Sequence, residues 1–172
     1  LEIPIRHSVF RQNWAGVRIN CLNNTTTCKI TNCLFTMGGV ETESDPEGSG
    51  QMYLDVYDCT FDGTGTGVFI RDDMYDSTYR VKYNIFAHVG YGVYYDKQDE
   101  NQSPTFSIDR NGIHDVTTFV YPNTINRGNY IEDKDLHPFI EGHPNGSYYL
   151  RTDIPDSPDS PFINYGDITA AA

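Results

Sequence analysis

Basic residues are scarce in this chain: 12 Lys and Arg stand against 24 Asp and Glu, a formal net charge of −12. Nucleic acid and anionic membrane surfaces are therefore disfavoured as partners, because phosphates are recognised by Lys and Arg. Long apolar runs are missing as well. Hydrophobic residues make up 38% of the chain, and no stretch reaches the length of a membrane span, so no membrane insertion is expected. No secretory leader is visible, and the first residue is Leu1 rather than Met, so a processed or partial chain is expected. There are 4 cysteines but no C-x-x-C, which weakens zinc-ribbon and thioredoxin-like readings. No Ser/His/Asp order, phosphate-cradling loop or dinucleotide glycine pattern stands out. Helical periodicity is also absent. At 172 residues the length suits one domain.

What is present is a repeat. The segments IRHSVF, ITNCLF, VYDCTF, VKYNIF and IDRNGI carry Ser8, Cys33, Cys59, Asn84 and Asn111 at their fourth position, in steps of 25, 26, 25 and 27. A period that even is the mark of a coil stacked on itself. Two residues before each motif stand Ile3, Cys28, Leu54, Tyr79 and Phe106. Each motif opens on Ile5, Ile30, Val56, Val81 or Ile108 and closes on Phe10, Phe35, Phe61, Phe86 or Ile113. Val17, Val40, Val68, Val93 and Val120 follow, the first four preceded by Gly16, Gly39, Gly67 and Gly92. Apolar and polar residues alternate with period two, in runs broken by Gly, Asn and Asp. That pattern predicts short strands with one face inward and tight turns between them. Stacked coils would then pile like side chain on like side chain, phenylalanine on phenylalanine.

These residues resemble the right-handed parallel β-helix, or pectate-lyase-like, superfamily. Its repeats commonly read I-x-x-N-x-F followed by G-I or G-V. The likeness covers about residues 3–121. Asn84 and Asn111 match the stacked turn asparagines of that family, with Ser8, Cys33 and Cys59 at the same station. The stretches Asp135–Phe139, Tyr148–Leu150 and Ser160–Gly166 are similar to the closing segment of many secreted members. The expected fold is all-β, a right-handed parallel β-helix (solenoid) of about five coils over residues 1–122. A loop-rich capping or wrapping extension is expected over 123–168, and a tail over 169–172. The resemblance does not settle function, because the superfamily includes lyases, hydrolases, epimerases, adhesins and phage fibres.

Cysteines in a Tyr-rich, Lys-poor chain suggest an oxidising compartment. Cys33 and Cys59 share a station in adjacent coils, and Cys21 and Cys28 flank one loop. Bridges 21–28 and 33–59 are one expectation; a reduced, buried cysteine ladder is the other. Glycosylation sequons occur at Asn23, Asn24 and Asn145, and at Asn101, where Pro104 follows the sequon serine.

Three outward features are candidates for chemistry. The first is a pair of charged rows, Lys29–Asp55–Arg80 and Tyr57–Lys82–Asp109. They read either as an exposed ion-pair ladder or, by the family resemblance, as the site of a Ca²⁺-assisted lyase of acidic polysaccharide. In that second reading Lys82 is the base, Arg80 clamps the substrate, and Asp55 and Asp109 hold the metal. The second feature is two stacked acidic loops. There Asp72, Asp73, Asp96 and Asp99 form a candidate Ca²⁺ site, the alternative being ordinary solvated loops. The third is the row Arg18, Glu41, Phe69, Tyr94, Tyr121, whose rings Phe69, Tyr94 and Tyr121 offer a ligand-binding surface for sugar or lie under the extension. His7, His88, His114, His137 and His143 share no station and read as surface residues.

The first strand begins at Ile3 and Ile5 with no amphipathic helix before it, so self-association through the ends of the stack is expected. The expected function is an extracellular or cell-surface, non-catalytic module, a structural or adhesive surface or a filament-forming subunit that assembles head-to-tail through its open ends. A Ca²⁺-assisted polysaccharide lyase or other carbohydrate-active β-helix enzyme, or a fragment of one, is the alternative.

Overall fold

The computed structural model describes residues 2–11, 15–21, 25–44, 50–72, 76–97 and 104–133. All of the regular structure among them is β-strand. The first coil holds β1 (Glu2–Arg6), β2 (Val9–Arg11) and β3 (Val17–Cys21). The second holds β4 (Thr26–Thr31), β5 (Leu34–Thr36) and β6 (Val40–Ser44), and the third β7 (Met52–Tyr57), β8 (Thr60–Asp62) and β9 (Thr66–Asp72). Then β10 (Thr78–Lys82) leads into β11 (Ile85–Lys97), and β12 (Thr105–Asp109) into β13 (Asn111–Tyr121); β14 (Tyr130–Asp133) follows. One sheet runs β1-β4-β7-β10-β12, and the other runs β2-β5-β8-β11-β9-β6-β3 with β13 and β14 added. All pairings are parallel and register like station on like station. The fold is an all-β parallel solenoid of about four turns.

Columns of identical or similar side chains fill the tube. Phe10, Phe35, Phe61 and Phe86 stack with ring centroids 4.8, 4.8 and 4.9 Å apart and planes within 7°. That spacing is the separation of hydrogen-bonded strands, so the rings report the coil pitch. The glycine column makes room for them: a Cβ at Gly67 would stand 2.5 Å from the Phe86 ring. Another column runs Ile19, Thr42, Ile70, Tyr95. Thr42 is 1% exposed, and its hydroxyl has no hydrogen-bond partner. Valine has the same shape without that unsatisfied group. Thr42→Val is therefore expected to raise stability by about 1 kcal/mol. A denaturant midpoint that stays put or falls would contradict this.

Two left-handed residues turn most coils. His7, Asn32, Asp58, Tyr83 and Arg110 have φ between 50° and 59° just before the fourth motif position, and Met37, Gly63, His88 and Asp115 form a second such column. Between these corners runs a continuous polar ladder. Ser8, Cys33, Cys59 and Asn111 each donate to the carbonyl two residues back, at 3.0, 3.3, 3.2 and 3.2 Å. The N–H of Cys59 donates to Asn84 Oδ1 at 2.9 Å, and that of Asn84 to Asn111 Oδ1 at 3.0 Å. Lower in the ladder, the N–H groups of Ser8 and Cys33 are met by the sulfurs of Cys33 and Cys59. A thiol thus fills the asparagine's place, donating one way and accepting the other.

Beyond residue 122, β14 pairs in parallel with β13, Tyr130 opposite Asn111. The turn into it is held at Gly128 (φ 57°), where a side chain would collide with the Ile108 carbonyl, and by Asn129 N–H donating to Asp109 Oδ1 at 2.8 Å. The remainder of the expected extension and tail lies outside the described residues.

Candidate functional site

The charged rows stand on the outer face of the β1-β4-β7-β10-β12 sheet in the expected register. Asp55 lies between Lys29 and Arg80, and Lys82 between Tyr57 and Asp109. Arg80 reaches Asp55 at 3.4 Å with 48% and 22% of the two side chains exposed, a pairing of small energetic weight. Lys29 lies over the Tyr57 ring at 5.9 Å. Burial, and then the Asp55 charge, push the Tyr57 phenol upward. Asp109 is engaged by the Asn129 N–H and lies 3.6 Å from Arg110 Nε. Asp55 and Asp109, the two carboxylates of the lyase reading, thus face different partners. Lys82 has no ion pair among the described residues.

The acidic loops are only partly described. Asp96, at the end of β11, faces Arg71 at 3.6 Å. Asp72 closes β9, while Asp73 and Asp99 lie outside the described residues, as do sequon residues Asn23, Asn24, Asn101 and Asn145. Among the described residues no group of three or more His, Cys, Asp or Glu could hold a metal ion.

The aromatic row is assembled. Arg18, Glu41, Phe69, Tyr94 and Tyr121 stand in register on the outer face of β3, β6, β9, β11 and β13. Tyr94 stacks on Tyr121 at 4.9 Å and 18°, and Phe69 meets Tyr94 edge-on at 5.4 Å. Tyr91, which the row did not include, packs against both tyrosines at 5.0 and 6.1 Å. Burial and the neighbouring Asp96, Tyr121 and Tyr91 raise the Tyr94 phenol. Much of the ring surface is spent within this stack, and Arg71 covers Phe69 at 5.4 Å. Tyr121 is different: 46% exposed, it stacks on Tyr94 and has no further ring over its other face among the described residues.

Beside Phe69 opens a groove of about 520 Å³ with a floor of Gly38, Gly39 and Gly65 and walls that include Met37, Arg18 and Glu41. A Cβ at Gly65 would meet nothing within 4 Å, so backbone is open to a ligand there. Arg18 binds Glu41 through Nε and Nη2 at 3.1 and 2.9 Å, which raises the Arg18 pKa. Glu43 lies 3.7 Å from Arg18 and 3.8 Å from Arg71, so the rim is a chain of alternating charge.

One cluster escaped the sequence reading. His88 and His114 are not separate surface residues: their rings meet edge to face at 5.1 Å, and His114 is 8% exposed. His88 Nδ1 lies 2.7 Å from Asp62 Oδ1, whose side chain is fully buried. Asp62 shares a register column with Ala87 and His114, and the small Ala87 leaves room for it. The repeat carries part of the signal: it sets Asp62 and His114 in one column through Ala87, and His88 lies one residue beyond it.

The expected bridges 21–28 and 33–59 are not formed. All four cysteines are buried free thiols, the alternative of a reduced ladder. Cys28 points into the core column between Ile3 and Leu54, whereas the Cys21 sulfur lies 3.7 Å from the Gln51 carbonyl. No family model, no curated protein and no solved structure matches this chain.

Proposed function

We propose that this chain is a non-catalytic module of an extracellular or cell-surface protein, a pectate-lyase-like right-handed β-helix whose tyrosine-rich face binds polysaccharide. The supporting observation is the outward ring row ending on Tyr121, 46% exposed and with no ring over its outer face among the described residues, and the nearby glycine-floored groove rimmed by Arg18, Glu41 and Arg71. Sugar rings offer apolar C–H faces to an aromatic ring and hydroxyls to charged side chains. The two arginines are already matched by Glu41, Glu43 and Asp96, so the rim favours an uncharged sugar. Self-association through the ends of the stack belongs to the same reading, and light scattering of the purified chain tests it.

Retention on insoluble neutral polysaccharides is the direct test of binding. Tyr121→Ala should weaken it about ten-fold, a loss of about 1.4 kcal/mol, while Lys82→Ala leaves it unchanged. Equal binding by Tyr121→Ala and the parent chain would sink the reading. The Ca²⁺-assisted lyase is the second reading, supported by Lys82 standing between Tyr57 and Asp109 without an ion pair among the described residues. It requires ultraviolet-absorbing unsaturated uronate to be released from polyuronates with Ca²⁺ and lost in Lys82→Ala.

A further inference from the structure

Cys33 and Cys59 stand at one station of adjacent coils, two residues before Phe35 and Phe61, whose rings are 4.8 Å apart. That pitch lies within the Cα separation that a disulfide spans, about 4.4–6.8 Å. When ionised, the Cys33 sulfur can accept from the Cys59 thiol and from the Ser8 N–H. Both thiols are buried, Cys33 3% and Cys59 1% exposed, but a surface groove of about 370 Å³, lined by His7, Ser8, Asn32, Cys33 and Asp58 among others, borders Cys33 and not Cys59.

We propose that Cys33 and Cys59 form a reactive dithiol that is oxidised by small aliphatic disulfides, with Cys33 as the attacking sulfur and Cys59 as the resolving one. The Cys33 thiolate attacks one sulfur of RS–SR. A protein–S–S–R bond forms, the RS–SR bond breaks, and RS⁻ leaves and takes up the proton lost from Cys33. The Cys59 thiolate then attacks Cys33 sulfur, closing the inter-coil disulfide and expelling the second RS⁻, which takes the Cys59 proton. The protein loses two electrons and the small disulfide gains them. Acidity supports the same order. The hydrogen bond from Cys59, reinforced by Ser8 and opposed by burial, lowers Cys33 to about 6, while burial pushes Cys59 well above the ordinary thiol range. The pair in effect loses a first proton easily and holds the second. Cys28, buried and near Asp55, is raised to about 11 and is the internal control.

The test starts from the reduced, folded chain. Limiting iodoacetamide at neutral pH, read by peptide mapping, should alkylate Cys33 at least about ten-fold faster than Cys28, with a rate that rises through pH about 6. Exposure to 2-hydroxyethyl disulfide should yield a 33–59 bridge in the parent chain and a mixed disulfide on Cys33 in Cys59→Ser. In Cys33→Ser, Cys59 should stay unlabelled. Alkylation of Cys33 no faster than Cys28, or first capture of the small disulfide at Cys59, overturns the proposal. The alkylation arm uses the unmutated chain, so a variant that fails to fold leaves it decisive.

Discussion

Truncating Phe61 to alanine is expected to destabilise the stack by about 3–5 kcal/mol. The ring is wholly buried and sandwiched between Phe35 at 4.8 Å and Phe86 at 4.9 Å. Its loss removes apolar area from the core, leaves a ring-sized hole between two coils, and forfeits two stacked contacts of about 0.5–1.5 kcal/mol each. The neighbours cannot close the gap, because the backbone ladders above and below hold the coil pitch. Phe10 is the comparison. Among the described residues it has one stacked neighbour, Phe35, and it is only half-buried, so Phe10→Ala should lose markedly less. Urea unfolding of the two variants measures the difference. Equal losses at the two positions would mean that the column does not act as a cooperative pile.

The column was legible because stacking converts three-dimensional neighbourhood into a sequence period. Every inward station named from the repeat, such as Cys28 between Ile3 and Leu54, and every outward row from Lys29–Asp55–Arg80 to Phe69–Tyr94–Tyr121, follows from that one translation. The corners did not follow. His7, Asn32, Asp58, Tyr83 and Arg110 share a left-handed backbone yet differ in chemistry. Only Asn, Asp and His among them favour that region, and each coil accepts a cost of about 1–2 kcal/mol to close. Strand lengths were equally hidden. Where Gly38 and Thr64 break the second and third coils, Val89 and Val116 pair across the fourth and fifth, so β11 and β13 run through the corner unbroken. The candidate sites were legible as rows but not as pairings. Nothing in the row Tyr57–Lys82–Asp109 announces that Asp109 is occupied by the backbone of Asn129, twenty residues on.

Asn84→Asp should be far more damaging at neutral pH than at acid pH, although it changes one atom type. Asn84 is 1% exposed and uses its whole amide. Oδ1 accepts the Cys59 N–H at 2.9 Å, while Nδ2 donates to the Val56 carbonyl at 2.9 Å and to Asn111 Oδ1 at 3.1 Å. In the aspartate variant a carboxylate oxygen replaces Nδ2 and faces two acceptors with no water to screen it. The ionised form is penalised by burial and by those two oxygens, so the folded carboxyl titrates above its unfolded value of about 3.9. A raised acid pKa means that the deficit is least below pH about 3.9 and grows as pH rises toward the folded pKa, then levels off. Relative to the parent chain at the same pH, the variant should lose about 3–5 kcal/mol at pH 7 and much less at pH 3.5, where a protonated carboxyl restores one donor. Thermal melts of both chains at the two pH values read this directly; a deficit independent of pH would show that Nδ2 is not the donor. Asn84→Cys is the companion. Cys59 already fills this station one coil down, donating to Tyr57 and Ile30 carbonyls at 3.2 and 3.7 Å, so cysteine at 84 should be tolerated better than alanine, which neither donates nor accepts. The ladder thus selects side chains for a donor on one side and an acceptor on the other, which is why serine, cysteine and asparagine occur along it and aspartate does not.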